Sequence, residues 1–128
     1  MSYYFSKIIE SDFDDAIEHV TAKLAEVGFG VLTTIDVSAT LNKKLDADLR
    51  RYTILGACHP QSAYKAIQAE DKIGTMLPCN VLLRETDDGK VEVAAVDPVS
   101  SMSAIENESL GGIAMEVQAT LKGVVEGL

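Results

Sequence analysis

A cysteine stands where a predicted strand meets a predicted helix. Cys58 ends a segment rich in β-branched and aromatic residues, and His59 and Pro60 follow it. Proline favours the first position of a helix, and the N–H groups of a helix N-terminus stabilise a thiolate. An imidazolium from His59 would stabilise it further. Cys58 is therefore predicted either as a reactive thiol or anion-binding corner, or as a small buried side chain at a crowded junction.

A hairpin is predicted from residues 77–85 and 91–96, and charge decides its register. A three-residue loop ending in a left-handed glycine sets Arg84 opposite Glu92. A two-residue turn would instead set Glu85 against Glu92, a like-charge pair that costs up to about 1 kcal/mol. The bulged register is therefore predicted.

The second cysteine lies on this hairpin. In the bulged register Cys79 has apolar neighbours on its face and Asp97 as its cross-strand neighbour. One interpretation is a core thiol; the other is a thiol beside a partly buried carboxylate, a pairing typical of functional sites. Asp97 also precedes Pro98, and Asp-Pro is an ordinary turn initiator, so both interpretations of the carboxylate stay open.

The two thiols and the histidines do not form a recognised metal or redox motif. Cys58 and Cys79 are not spaced as C-x-x-C. A zinc site would need both thiols to converge with His19 and His59, but His19 lies in the middle of a predicted helix, so no metal is predicted. Haem is a specific alternative, since Cys58, His59 or Met76 could donate to iron, but no haem signature is present and no cofactor is predicted.

Composition narrows the classes of function. The chain has 128 residues, 47% of them hydrophobic, which predicts one domain over residues 1–128 with a sizeable core. Its net charge of −9 disfavours nucleic acid and anionic membrane surfaces. No stretch approaches the roughly 20 apolar residues of a membrane span, and two cysteines suit a reducing compartment, so a cytoplasmic protein is expected. Walker, dinucleotide and nucleophile-elbow motifs are missing from the sequence, and whether the chain is an enzyme stays open.

Periodicity predicts the elements that position these residues. Ser11 is the expected N-cap of the first helix, and residues 97–109 are expected to form a loop or flap. The predicted order is β-α-β-α-β-α-β-β-α. Strands are predicted near residues 3–8, 29–36, 52–58, 77–85 and 91–96, and helices over 13–27, 40–45, 60–67 and 110–124.

Several short segments, in one order along nearly the whole chain, resemble the domain-of-unknown-function 302 family. The most specific marks are Cys58-His59-Pro60 and Leu77-Pro78-Cys79-Asn80. Further marks are Gly28-Phe29-Gly30-Val31-Leu32, Ile35-Asp36-Val37, Leu55-Gly56-Ala57, Ala63, Ile73-Gly74 and Asp97-Pro98.

The resemblance implies an α+β fold, with an antiparallel sheet of about five strands packed by helices on one face. It also implies a relation to TATA-binding-protein-like folds and a homodimer with an apolar pocket near the motif residues. Fold analogy carries no implication of DNA binding. His59 stands where the family usually has Asn, and it could either strengthen a thiol site at Cys58 or cap the helix as Asn would.

Two functions are predicted from these residues. The favoured one is binding of a small apolar or amphipathic ligand, because ligand sites are mostly apolar with a few placed polar groups. The alternative is thiol-based redox or sulfur-carrier chemistry, with Cys58 as nucleophile and Cys79 resolving or orienting. The polar contacts to a ligand are assigned to Cys58, His59, Cys79, Asn80 and Asp97.

Overall fold

A computed structural model describes residues 2–128. The strands are β1 (Tyr4–Ile9), β2 (Gly30–Asp36), β3 (Tyr52–Cys58), β4 (Cys79–Glu85) and β5 (Val91–Val96). The helices are α1 (Phe13–Glu26), α2 (Val37–Leu45), α3 (Pro60–Ala69), α4 (Pro98–Ser101) and α5 (Glu108–Glu126), and a 3-10 helix spans Ile73–Met76.

The strands form one antiparallel sheet in the spatial order β1-β5-β4-β3-β2. Helices α1 and α5 pack over one of its faces. The α+β class and the five-stranded antiparallel sheet are thus confirmed. The predicted element order is also found, with α4 and the 3-10 helix added to it.

The hairpin of β4 and β5 has the bulged register. Arg84 pairs with Glu92 across the strands, and Arg84 Nε lies 2.6 Å from Glu92 Oε1. Gly89 has a φ of +81°, the left-handed conformation that this loop requires. The charge argument for the register is therefore confirmed.

The main core lies between the sheet and the two long helices. Side chains alternate along each strand, so every second residue of β4 and β5 faces the helices. The buried residues of this core include Val81, Leu83, Val93 and Ala95 from the hairpin, Phe13, Ala16, Val20 and Leu24 from α1, and Val117, Leu121 and Val124 from α5.

A second, smaller hydrophobic cluster lies beside the main core. Its buried members are Ala66 of α3, Ile73 of the 3-10 helix and Leu110 of α5. Asn107 links two of these elements, because it N-caps α5 and its Nδ2 donates to the Ala69 carbonyl at 2.8 Å. The cluster covers the end of α3.

The segment predicted as a loop or flap is packed and partly helical. Asp97 N-caps the short helix α4, and Met102 and Ile105 pack against the second cluster. The loop alternative holds for residues 102–107, which lie between α4 and α5. Helix α4 and the packing of Met102 and Ile105 were not predicted, because these contacts join residues distant in the sequence, which periodicity does not show.

The cap of α1 also differs from the prediction by one residue. Asp12 is the N-cap and accepts from the Asp15 N–H at 3.4 Å, whereas Ser11 Oγ donates to the Asp12 carbonyl. Both residue types cap helices well, so local preference did not separate them.

A glycine allows three segments to meet near the end of β3. A Cβ at Gly56 would collide with the Thr33 side chain on β2 and come to 2.8 Å from Pro78 Cγ before β4. Leu32 is an extra residue in β2, because the β2–β3 register shifts between Val31 and Thr33. This close approach holds the start of β4 against the end of β3.

Candidate functional site

A cavity of about 310 Å³ lies between the main core and the second cluster. Its walls are formed by the end of β3, the start of β4, and helices α3 and α5. Its lining is apolar except at Cys58, His59, Ser62 and Cys79. The apolar lining is contributed by Phe29, Leu32, Ala57, Ala63, Ala66, Ile67, Gly74, Leu77, Pro78, Pro98, Met102, Leu110, Ile113, Ala114 and Val117.

Cys58 ends β3 and lines this cavity. Its backbone partner is Gly30 of β2, and the residue is half-buried. Within residues 2–128 its thiol makes no hydrogen bond, including none to His59. The structure thus gives Cys58 access to the cavity without an adjacent base hydrogen-bonded to the sulfur.

Cys79 begins β4 and lines the same cavity from the next strand. It pairs with Ala57, the residue before Cys58, and only 7% of its surface is exposed. Burial, and to a smaller extent the nearby Cys58, raises the pKa of Cys79 to about 11. At neutral pH Cys79 is therefore a protonated thiol, a weak nucleophile and a weak hydrogen-bond donor.

His59 caps α3 through its side chain. Its Nδ1 accepts from the Ser62 N–H at 3.3 Å, and its ring packs on Phe29 with the centroids 5.3 Å apart. The opposite edge of the ring lies over Gly28, where a Cβ would come within 3.0 Å of Cδ2. Of the two predicted roles, the structure shows the capping one.

Asp97 is buried but does not line the cavity. Its carboxylate caps α4, accepting from the Val99 N–H at 2.9 Å and the Ser100 N–H at 3.4 Å, and it accepts from Gln118 Nε2 at 3.0 Å. These partners belong to α4 and α5. Asp97 therefore initiates the turn into α4, as the second interpretation predicted.

Asn80 lies on the other side of the sheet. It is exposed and lines a shallow groove of about 530 Å³ on the face that no helix covers, beside Ile54 and Leu82. Successive strand residues point to opposite faces, so Asn80 faces away from Cys79. The structure thus brings Cys58, His59 and Cys79 together, and leaves Asn80 and Asp97 outside the cavity.

Sequence reasoning missed the small residues that make room for the cavity. Ala63 and Ala66 of α3 and Ala114 of α5 line it. Ala63 and Ala66 lie three positions apart and so share one helix face. The sequence signal for the cavity was alanine at inward-facing helix positions, where larger residues normally fill the core.

Metal-ligating side chains do not form groups of three or more in the described part of the chain. Residues 2–128 contain no group of three or more His, Cys, Asp or Glu side chains that could hold a metal ion. Met76, the third candidate haem ligand, is not part of the lining that contains Cys58 and His59. None of the helices in residues 2–128 has the length and apolar character needed to cross a membrane.

Comparison with known proteins identifies a family. The family model "Domain of unknown function DUF302" matches residues 5–128. No curated protein matches the chain. The crystal structure of an uncharacterized conserved protein DUF302 from Bacillus stearothermophilus is 22% identical, with 98% of each chain covered and a TM-score of 0.91. At this identity the likeness shows the fold.

The raised pKa of Cys79 predicts a loss of stability at alkaline pH. The unfolded chain releases this proton near pH 9 and the folded chain only near pH 11. The contribution of Cys79 to the free energy of unfolding is therefore complete below pH 9 and is lost as the pH rises to 11, at up to about 1.4 kcal/mol per pH unit. The free energy of unfolding, measured with denaturant across this pH range, should fall less for Cys79→Ala than for the native protein.

Cys58→Ala is the matched control for this titration. It should keep most of the fall, since burial of Cys79 is the larger cause of the raised pKa and Cys58 the smaller one. Identical pH profiles for Cys79→Ala and the native protein would show that Cys79 is not the titrating group.

Proposed function

This chain belongs to the DUF302 family, and we propose that it binds a small apolar or amphipathic molecule in the cavity between its two hydrophobic clusters. The observation that carries the proposal is the cavity itself. Its volume of about 310 Å³ lies at the lower end of the range for small-molecule sites. Such a volume suits a compact ligand with few polar groups.

The position of the cavity supports uptake of an apolar guest. Phe29, Ala57 and Val117 of the main core line one part of it, and Ala66 and Leu110 of the second cluster line another. Unfilled space between apolar side chains forfeits dispersion contacts that protein interiors normally have. A ligand that filled the space would restore those contacts and pack the two clusters against one another.

Filling the cavity with a side chain is expected to prevent binding. Ala63 lines the cavity from α3, and Ala63→Phe would place an aromatic ring in the space. The neutral fluorescent probe N-phenyl-1-naphthylamine should bind the native protein, and Ala63→Phe should weaken that binding at least roughly 10-fold through steric overlap. Fluorescence titration measures both affinities, and native mass spectrometry of freshly purified protein reports any molecule already retained.

Ala22→Phe is the matched control, because Ala22 is an exposed alanine on helix α1. It should bind the probe as the native protein does. Equal binding by the native protein and Ala63→Phe, with both folded by circular dichroism, would remove the cavity as the site.

Thiol chemistry is the second candidate function. The observation in its favour is that Cys58 and Cys79 line one cavity from neighbouring strands. The raised pKa of Cys79 makes it the poorer nucleophile, so Cys58 takes the attacking role, with Cys79 resolving or orienting.

Alkylation against pH tests this second function. Iodoacetamide should modify Cys58 readily near neutral pH in the Cys79→Ser variant, and Cys79 only slowly in the Cys58→Ser variant, because burial keeps Cys79 protonated. Peptide mass spectrometry assigns each site. If Cys58 reacts only with the profile of an ordinary cysteine near pKa 8.5, the redox or sulfur-carrier function should be abandoned.

The helix-free face of the sheet supports a homodimer as the protein's assembly. The strand registers place Ser6, Ala94, Leu82, Ile54 and Ile35 in one row across all five strands. Four of the five are apolar: Ile35 is 50% exposed, Ile54 and Leu82 are partly exposed, and Ala94 is buried. A partly exposed apolar sheet face of this kind is typical of an interaction surface, and a second copy of the chain is the partner proposed.

A charge in this row is expected to separate the two copies. Leu82→Asp would bury an unpaired carboxylate in the proposed interface, so sedimentation velocity should show a monomer where the native protein is a dimer. Leu45→Asp on α2 is the control, since Leu45 is exposed and lies outside the row. A native protein that sediments as a monomer at micromolar concentrations would contradict this assembly.

A further inference from the structure

A second, more open depression adjoins the cavity. This side pocket has a volume of about 430 Å³. Four residues line both spaces: Phe29, His59, Ser62 and Val117. The rest of the side pocket is lined by three residues of α5, which are Glu116, Ala119 and Thr120. Because the two spaces lie next to one another, one elongated molecule can contact both.

The two spaces differ in charge. Within residues 2–128 the cavity lining contains no Asp, Glu, Lys or Arg side chain, whereas the side pocket contains the carboxylate of Glu116 and no cationic side chain. Lys122, the one lysine of α5, pairs instead with Glu126 at 3.9 Å. The side pocket is therefore the place beside the cavity where a positive charge would meet a counter-charge.

Hydrogen-bond acceptors predominate in the side pocket. An ionised carboxylate such as that of Glu116 can only accept. Thr120 Oγ1 donates its proton to the Glu116 carbonyl at 3.0 Å, so only its lone pairs remain for a ligand. An ammonium group has three donors and no acceptor, and it complements such a set of oxygens.

Charge over the whole molecule acts in the same direction. The net charge of −9 attracts cations and repels anions. The exposed position of Glu116 lets a cation keep part of its hydration there, whereas the same cation inside the cavity would be desolvated without a counter-charge. An apolar body in the cavity and a positive group in the side pocket is thus the favourable arrangement.

We infer that the ligand is an amphipathic cation, a primary amine whose apolar body fills the cavity and whose ammonium group lies in the side pocket beside the Glu116 carboxylate. The inference rests on the proposed binding function and specifies its ligand class.

A matched pair of probes tests the ligand class. At neutral pH 4-phenylbutylamine is a cation and 4-phenyl-1-butanol is neutral, and the two have nearly the same shape. The native protein should bind the amine more tightly than the alcohol. Glu116→Gln removes the charge and keeps the shape of the side chain, so it should lower this preference by roughly 2- to 5-fold, the range for an exposed ion pair. About 0.5 M sodium chloride should lower it in the native protein through screening.

Two-dimensional amide NMR titrations of the full chain give both dissociation constants. Glu18→Gln is the matched control, because Glu18 is exposed on α1 and lines neither space. It removes the same charge from the chain and should keep the native preference. Ala63→Phe should weaken the binding of both probes, since both place their apolar body in the cavity.

The outcomes separate the inference from the proposed function. An unchanged preference in Glu116→Gln, an equal loss in Glu18→Gln, or amine binding that survives Ala63→Phe overturns the ligand class. So does absence of amine binding while N-phenyl-1-naphthylamine still binds the native protein and not Ala63→Phe, a result that leaves the cavity as a binding site. If neither probe binds and N-phenyl-1-naphthylamine is unaffected by Ala63→Phe, the proposed function fails and the inference fails with it.

Discussion

The antiparallel pairing of β3 with β4 is the constraint on which the site depends. It sets Ala57 opposite Cys79 and so brings Cys79 beside Cys58, although the two cysteines are distant in the chain. The pairing reaches the start of β4, beside the end of β3, only because Gly56 has no side chain to collide with Thr33 and Pro78. Backbone hydrogen bonds and one missing Cβ thus place both cysteine residues in the lining of one cavity.

The carboxylates and cationic side chains of the described chain lie outside the cavity lining. The chain carries a net charge of −9, yet the cavity lining holds no formal charge. The one buried carboxylate close to this region, Asp97, is fully engaged by the N–H groups of α4 and by Gln118. The polar side chains of the cavity lining are two thiols, one hydroxyl and one imidazole.

Much of the fold was predictable from local rules. The bounds of β3 and β5 and the hairpin register follow from residue preferences or charges that act over a few positions. The opposite placement of Asn80 could also have been read from strand alternation, since it adjoins Cys79. The sequence prediction assigned Asn80 and Cys79 to one site because they share a motif, although adjacent strand residues face opposite sides of the sheet.

The cavity itself was not predictable in this way. It arises where the second cluster, built from α3, the 3-10 helix and α5, fails to close completely against the main core. Leu110 lies more than 30 positions of sequence from Ala66 and Ile73, and no periodic pattern predicts how large a gap these residues leave. Gln118 was missed for the same reason, because its partner Asp97 lies 21 positions away and beyond a turn.

The extra residue in β2 has a consequence for aggregation. Strand β2 is one edge of the sheet, and an edge with a regular row of free N–H and C=O groups is a template for adding strands from other molecules. The bulge at Leu32 interrupts that regularity. Fibre-like growth of the sheet through this edge is thereby discouraged.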